Sequence, residues 1–115
     1  MNKFKFIINE DTIFILNGKD WNLDILKNGC NITVKQMSDN FCKLFGKLNL
    51  INCEYLYCSE INQLTLLPIL TNCIELTCSD NKLVSLPALP NCIELNCNNN
   101  ELTSLPALPN CIELN

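Results

Sequence analysis

The sequence predicts a solenoid, a pile of short units each too small to close a core of its own, and three observations carry that prediction. The first is a phrase recurring from Leu67 to Asn115, Leu-Pro-x-Leu-x-Asn-Cys-Ile-Glu-Leu-x-Cys-x-x-Asn-x-Leu. Its counterparts stand 19 apart: Cys73, Cys92 and Cys111; Glu75, Glu94 and Glu113; Leu76, Leu95 and Leu114; Asn81 and Asn100. The second is that seven of the nine cysteines fall in this register, which points to packing rather than to a disulfide scaffold. The third is the prolines between units, Pro87, Pro90, Pro106 and Pro109. Proline fixes φ and removes an N–H donor, which excludes a regular helix on the return path and suits an extended or 3₁₀ back.

Composition narrows the function classes. A chain of 115 residues suits one domain, and 48% hydrophobic against 17% charged residues argues against disorder. Lys3 and Lys5 are followed only by Phe6, Ile7 and Ile8 before Asn9, Glu10 and Asp11, too short a run for a secretory signal. No stretch reaches the roughly 18 apolar residues of a membrane span. The expectation is a soluble, cytoplasmic chain without a membrane partner. The sequence has no His and no Arg, so the commonest general base and the best bidentate phosphate ligand are both missing. With no nucleophile–base pair, phosphate loop or ligand cluster, no enzyme activity, catalytic residue, metal or cofactor is expected. Charge is uneven: residues 1–47 hold seven Lys against five acids, whereas residues 48–115 hold Lys82 alone against seven acids. An acidic solenoid should repel nucleic acid and anionic membranes.

Taken in order, residues 3–8 and 12–16 are rich in β-branched and aromatic types around the turn-forming Asn9-Glu10-Asp11, and read as a β-hairpin. Asn17-Gly18 ends that unit; Trp21 to Leu26 suits strand or helix; Asn28-Gly29 closes it, and Ile32-Thr33-Val34 suits a short strand. Ser38 is a good N-cap and Asp39 sits in the first turn of a short helix ending near Gly46. Its Phe41, Leu44 and Phe45 would cover the raw end of the first repeat; an irregular loop burying the same side chains is the alternative. Residues 1–47 thus form an N-terminal capping region and residues 48–115 the repeats. The units begin at Cys53, Cys73 and Cys92, with Asn62 and Leu64 of the first one residue late. A fourth opens at Cys111 and stops at Asn115, so the chain is expected to be truncated.

The units Cys73-x-x-Leu76-x-Cys78-x-x-Asn81-x-Leu83 and Cys92-x-x-Leu95-x-Cys97-x-x-Asn100-x-Leu102, followed by Leu86-Pro-Ala-Leu-Pro90 and Leu105-Pro-Ala-Leu-Pro109, resemble leucine-rich repeats of the short Leu-Pro-x-Leu-Pro subclass. That subclass is similar to the repeat modules of bacterial effectors delivered into host cells, and the Cys- and Asn-rich dialect resembles repeat proteins of large DNA viruses. The resemblance implies an α/β-class leucine-rich repeat solenoid with a parallel β-sheet on its concave side. Leu56, Leu76, Leu95 and Leu114 should then point inward, and Leu86, Leu89, Leu105 and Leu108 should fill the core from the back. Asn62, Asn81 and Asn100 should form an internal ladder, because a buried amide without partners costs about 1 to 3 kcal/mol. Cys replaces Leu at two core positions of each unit, and Thr71 stands where later units have Pro90 and Pro109.

The cysteines Cys53, Cys73, Cys92 and Cys111, with Cys58, Cys78 and Cys97, admit a metal-binding or redox role, since neighbouring units approach disulfide range. Against it, Cys-x4-Cys is not a zinc knuckle, no His accompanies it, and thiols replace aliphatic groups readily in tight cores. The packing role of Cys73, Cys78, Cys92 and Cys97 is therefore expected; Cys30 and Cys42 lie outside the register. On the concave side the outward positions are Tyr55 and Tyr57; Glu75, Thr77 and Asp80; Glu94, Asn96, Asn98 and Asn99; and Glu113. A row of Glu75, Glu94 and Glu113 sets like charges side by side, which is mildly destabilising. The expected function is protein–protein interaction, an acidic groove for a basic or amide-rich segment with Tyr55 and Tyr57 as anchors. The same residues would also serve as a solvated face that keeps the sheet soluble. The resemblance to effectors implies a second possibility, the substrate-recognition arm of a longer ubiquitin-transferring enzyme.

Overall fold

A computed structural model describes residues 4–8, 30–34, 42–43, 45–47 and 50–115. Six strands run parallel in one sheet, in chain order: β1 (Phe4–Ile8), β2 (Cys30–Val34), β3 (Cys53–Tyr57), β4 (Glu75–Thr77), β5 (Glu94–Asn96) and β6 (Glu113–Leu114). Helix among the described residues is confined to a turn at Cys42, Lys43 and Phe45, where the Gly46 N–H donates to the Cys42 carbonyl at 3.3 Å. None of it is long and apolar enough to cross a membrane.

The repeat period becomes register. Leu56 pairs with Leu76, Leu76 with Leu95 and Leu95 with Leu114, so identical letters lie side by side at the roughly 4.8 Å spacing of neighbouring strands. Alternation then decides what each face carries. Leu56, Leu76 and Leu95 are buried, and so are the cysteines flanking them, Cys53 and Cys58, Cys73 and Cys78, Cys92 and Cys97. The residues between them, such as Glu75 and Thr77, lie on the outer face. From the other side the core is closed by Leu64, Leu67, Leu70, Leu83 and Leu89, with Leu86, Leu102 and Leu108 partly buried against it. Each fully buried Leu contributes about 1.5 to 3 kcal/mol of transfer free energy, so this shared core outweighs what any single unit could supply. In the last unit Leu105 and Leu114 are exposed rather than packed.

A turn before each of β3 to β6 accounts for Pro90 and Pro109. The N–H of Cys53, Cys73, Cys92 and Cys111 donates to the carbonyl three residues back, on Leu50, Leu70, Leu89 and Leu108. The second turn position is Ile51, Thr71, Pro90 and Pro109 in turn. It needs a φ near −60° and no N–H, so proline preorganises it and Thr71 is accommodated in the same fold of the chain.

In the N-terminal region the described partner of β1 is β2. β1 pairs along its whole length with β2, in parallel, from Phe4 opposite Cys30 to Ile8 opposite Val34. The supposed second arm, 12–16, lies outside the described residues, as do Ser38, Asp39, Phe41 and Leu44 of the expected helix. β2 in turn pairs with β3, with a register shift between Cys30 and Asn31, so the sheet continues across the 47/48 boundary. Phe45 and Cys42 are buried against this end of the core.

Candidate binding surface

Two rows of side chains run across the outer face of the sheet. Pairing sets Asn31, Tyr55, Glu75, Glu94 and Glu113 in one row and Thr33, Tyr57, Thr77 and Asn96 in the other. Glu75, Thr77, Glu94, Asn96, Glu113 and Asn115 border a shallow depression of about 180 Å³. The row is electrostatically frustrated: the Glu75 carboxylate, then that of Glu113, hold the Glu94 carboxyl above its ordinary range. Burial and the neighbouring Glu75 carboxylate likewise push the Tyr57 phenol up.

Asp80, Asn98 and Asn99 fall beyond the strand ends. Asp80 and Asn99 take equivalent left-handed turn positions, with φ of 59° and 57°, which short polar side chains tolerate. Their side chains are joined, Asn99 Nδ2 donating to Asp80 Oδ1 at 2.8 Å. The Asn98 N–H donates to Asn96 Oδ1 at 3.3 Å, while the Asn98 carbonyl accepts from the Asp80 N–H. One step earlier, the Ser79 hydroxyl donates to the Ser59 hydroxyl at 2.9 Å. The sheet face therefore gathers Tyr55, Tyr57, Glu75, Thr77, Glu94, Asn96 and Glu113, and the turns gather the rest.

The asparagine ladder has two members among the expected three. Asn81 is buried and its amide nitrogen serves the carbonyls of Cys58, Cys78 and Ser79; Asn100 serves Cys78, Cys97 and Asn98. Asn100 Oδ1 also accepts from the Leu83 N–H at 3.0 Å. Asn62 is exposed, with φ of 71° and one long bond of 3.4 Å to Glu60 O. Three residues after the cysteine, where Asn81 follows Cys78, the first unit has Ile61, which is buried. Asn62 is an inserted residue that bulges outward.

Cys58, Cys73, Cys78, Cys92 and Cys97 are buried free thiols and Cys111 is a half-buried one; Cys42 and Cys53 are buried too. Cys53, Cys73, Cys92 and Cys111 each point the sulfur at the carbonyl two residues on, at 3.4, 3.3, 3.2 and 3.1 Å, a weak bond that fixes the rotamer. Burial pushes Cys73 and Cys78 up to about 12 and Cys58 well above the usual thiol range. The upward push is smaller at Cys92 and Cys97, which one outer unit covers. Among the described residues no three His, Cys, Asp or Glu side chains are grouped to hold a metal ion.

Comparison with protein-family models, with curated proteins and with solved structures finds no match.

One feature of the surface escapes a sequence reading that follows the leucines. Asn72, Asn91 and Asn110 occupy the third position of the turns and donate to Ile51, Thr71 and Pro90 carbonyls of the preceding turn at 2.8, 3.0 and 3.0 Å. They line a groove of about 520 Å³ at the leading ends of the strands. Their signal is a second Asn series at the same period of 19, one residue before each of Cys73, Cys92 and Cys111.

Proposed function

We propose that this chain is a short leucine-rich repeat solenoid acting as a protein-interaction module, and that the outer sheet face takes a basic or amide-rich segment of a partner. What carries the proposal is the row Tyr55, Glu75, Glu94, Glu113, paired strand to strand on the face opposite the core. Three adjacent carboxylates raise one another's energy, and a cationic segment laid along them would relieve that repulsion on binding. Tyr55 and Tyr57 supply broad, semi-rigid contact area at one end, the kind of anchor on which binding energy concentrates. Thr77 and Asn96 add donors and acceptors for a peptide backbone. A face of this charge disfavours nucleic acid and anionic membranes.

Selection from a random peptide display library against the whole chain tests this. The expected outcome is enrichment of Lys-, Arg- or amide-rich peptides whose binding is lost in the Glu75→Lys/Glu94→Lys variant. Peptides of no common charge, held equally by that variant, would refute the assignment of the face.

A further inference from the structure

Beside the carboxylate row runs an apolar one. Ile74, Ile93 and Ile112 each precede a glutamate of the row by one residue, just before β4, β5 and β6, their Cα atoms about 3.8 Å from those of the glutamates. Backbone bonds hold the isoleucines in file, the Ile93 N–H donating to the Ile74 carbonyl and the Ile112 N–H to the Ile93 carbonyl, both at 2.7 Å. They stand outside the core: Ile93 is 37% exposed and Ile112 81% exposed. Ile74 and Ile93 line the 520 Å³ groove with Asn52, Glu54, Asn72, Asn91 and Asn110, the amides of the last three donating to preceding turns, and Ile112 continues the file beside it.

An apolar stripe flanked on one side by carboxylates complements one kind of partner surface. We infer that this groove, together with the depression beside it that Glu75, Glu94 and Glu113 border, takes an amphipathic basic α-helix, its apolar stripe along the file of Ile74, Ile93 and Ile112 and its flanking Lys or Arg side chains reaching the three glutamates. The spacing selects a helix. Strands are stacked at roughly 4.8 Å, and a helical stripe recurs every three to four residues, roughly 5.3 Å, so over two steps the mismatch is about 1 Å. Same-face residues of an extended segment recur at roughly 6.8 Å and fall about 4 Å out of step over the same span. The apolar contact supplies affinity and the charge row fixes orientation, as in helix-in-groove recognition generally. The inference rests on the proposed protein-binding role of the sheet face and names the partner's form.

Two fluorescein-labelled peptides of about 16 residues and identical composition test it, one with Leu at helical spacing flanked by Lys, the other with the same residues reordered so that no stripe forms. Each is titrated by fluorescence anisotropy against the whole chain, the Ile93→Ser/Ile112→Ser variant and the Glu75→Lys/Glu94→Lys variant, with far-UV circular dichroism confirming that the variants keep their sheet. The striped peptide is expected to bind the unmodified chain at least about tenfold more tightly than the reordered one, and to lose about tenfold or more with either variant. Equal binding of the two peptides to the unmodified chain, no binding of the striped one, or an Ile variant that binds it undiminished would overturn the helix groove. If the Glu variant alone weakens binding in that case, the protein-binding role of the face still stands; indifference to both variants refutes the two together.

Discussion

Asn81 donates its side-chain amide to the Cys58 carbonyl at 2.9 Å, bridging one unit to the next. The same nitrogen lies 3.2 Å from the carbonyls of Cys78 and Ser79, so one buried side chain gathers three backbone acceptors where β4 ends. Removing it takes the side-chain partner from the Cys58 carbonyl, while the Cys78 carbonyl keeps Asn100 and the Ser79 carbonyl keeps the Glu60 N–H. Asn81→Ala is expected to cost about 2 kcal/mol in urea denaturation, within the range for unsatisfied buried groups. Asn62→Gly should leave stability within about 0.5 kcal/mol, because Asn62 is exposed and glycine accepts its positive φ. Equal costs at the two sites would contradict the insertion at Asn62.

Glu60 occupies the turn position that Asp80 and Asn99 hold in later units, with φ of 63°. A long side chain pays the left-handed penalty without the local hydrogen bonding that excuses Asn and Asp. Glu60→Asn should therefore raise stability by up to about 1 kcal/mol, read as a shift of the urea midpoint at unchanged slope. The reciprocal change Asn99→Glu should lower it by a similar amount.

These two sites show how far the sequence could be read. Period 19 was legible because it acts through register: a letter repeated at that spacing becomes its own neighbour, so Leu76 beside Leu95 and Glu75 beside Glu94 followed directly from the stack. Matching the first unit by letter aligns Asn62 with Asn81, whereas counting from Cys58 places Ile61 in the buried slot. β1 shares no letters with the later strands at matched positions, and β2 only Cys30 and Thr33, with Cys30 standing 23 residues before Cys53 rather than 19, so their parallel pairing has no periodic signal to reveal it. The Ile74, Ile93 and Ile112 row was hidden for the opposite reason, since a repeated isoleucine beside a strand reads as core until exposure is known.

The thiols make stability fall at alkaline pH. In the unfolded chain a cysteine ionises near pH 8.5, whereas burial holds Cys73 and Cys78 protonated up to about 12 and Cys58 beyond the usual range. Their contribution is complete below pH 8.5 and is lost as pH rises toward 12, at about 1.4 kcal/mol per pH unit for each thiol that ionises only on unfolding. Urea midpoints between pH 7 and 10.5 should drop accordingly. At pH 8 a thiol reagent should label half-buried Cys111 before the buried cysteines of the repeat register, which react only as fast as the fold opens. Fast labelling of Cys73 or Cys78 in the native state would show that they do not serve as packing.

The carboxylate row has a pH signature of the same sign, in the acid range. Glu75 first, and Glu113 second, raise the Glu94 carboxyl, so the folded chain binds that proton more tightly than the unfolded one. Its favourable contribution is complete below the ordinary carboxylate value near pH 4.3 and disappears as pH rises through the elevated folded value. At neutral pH the row is thus a net cost, and Glu94→Gln should raise the thermal midpoint there while making little difference below about pH 4. Added salt should screen the same repulsion, raising the midpoint of the unmodified chain more than that of the variant. If Glu94→Gln lowers the midpoint at neutral pH, the three carboxylates are not in mutual opposition, and the electrostatic reason for a cationic partner on this face is gone.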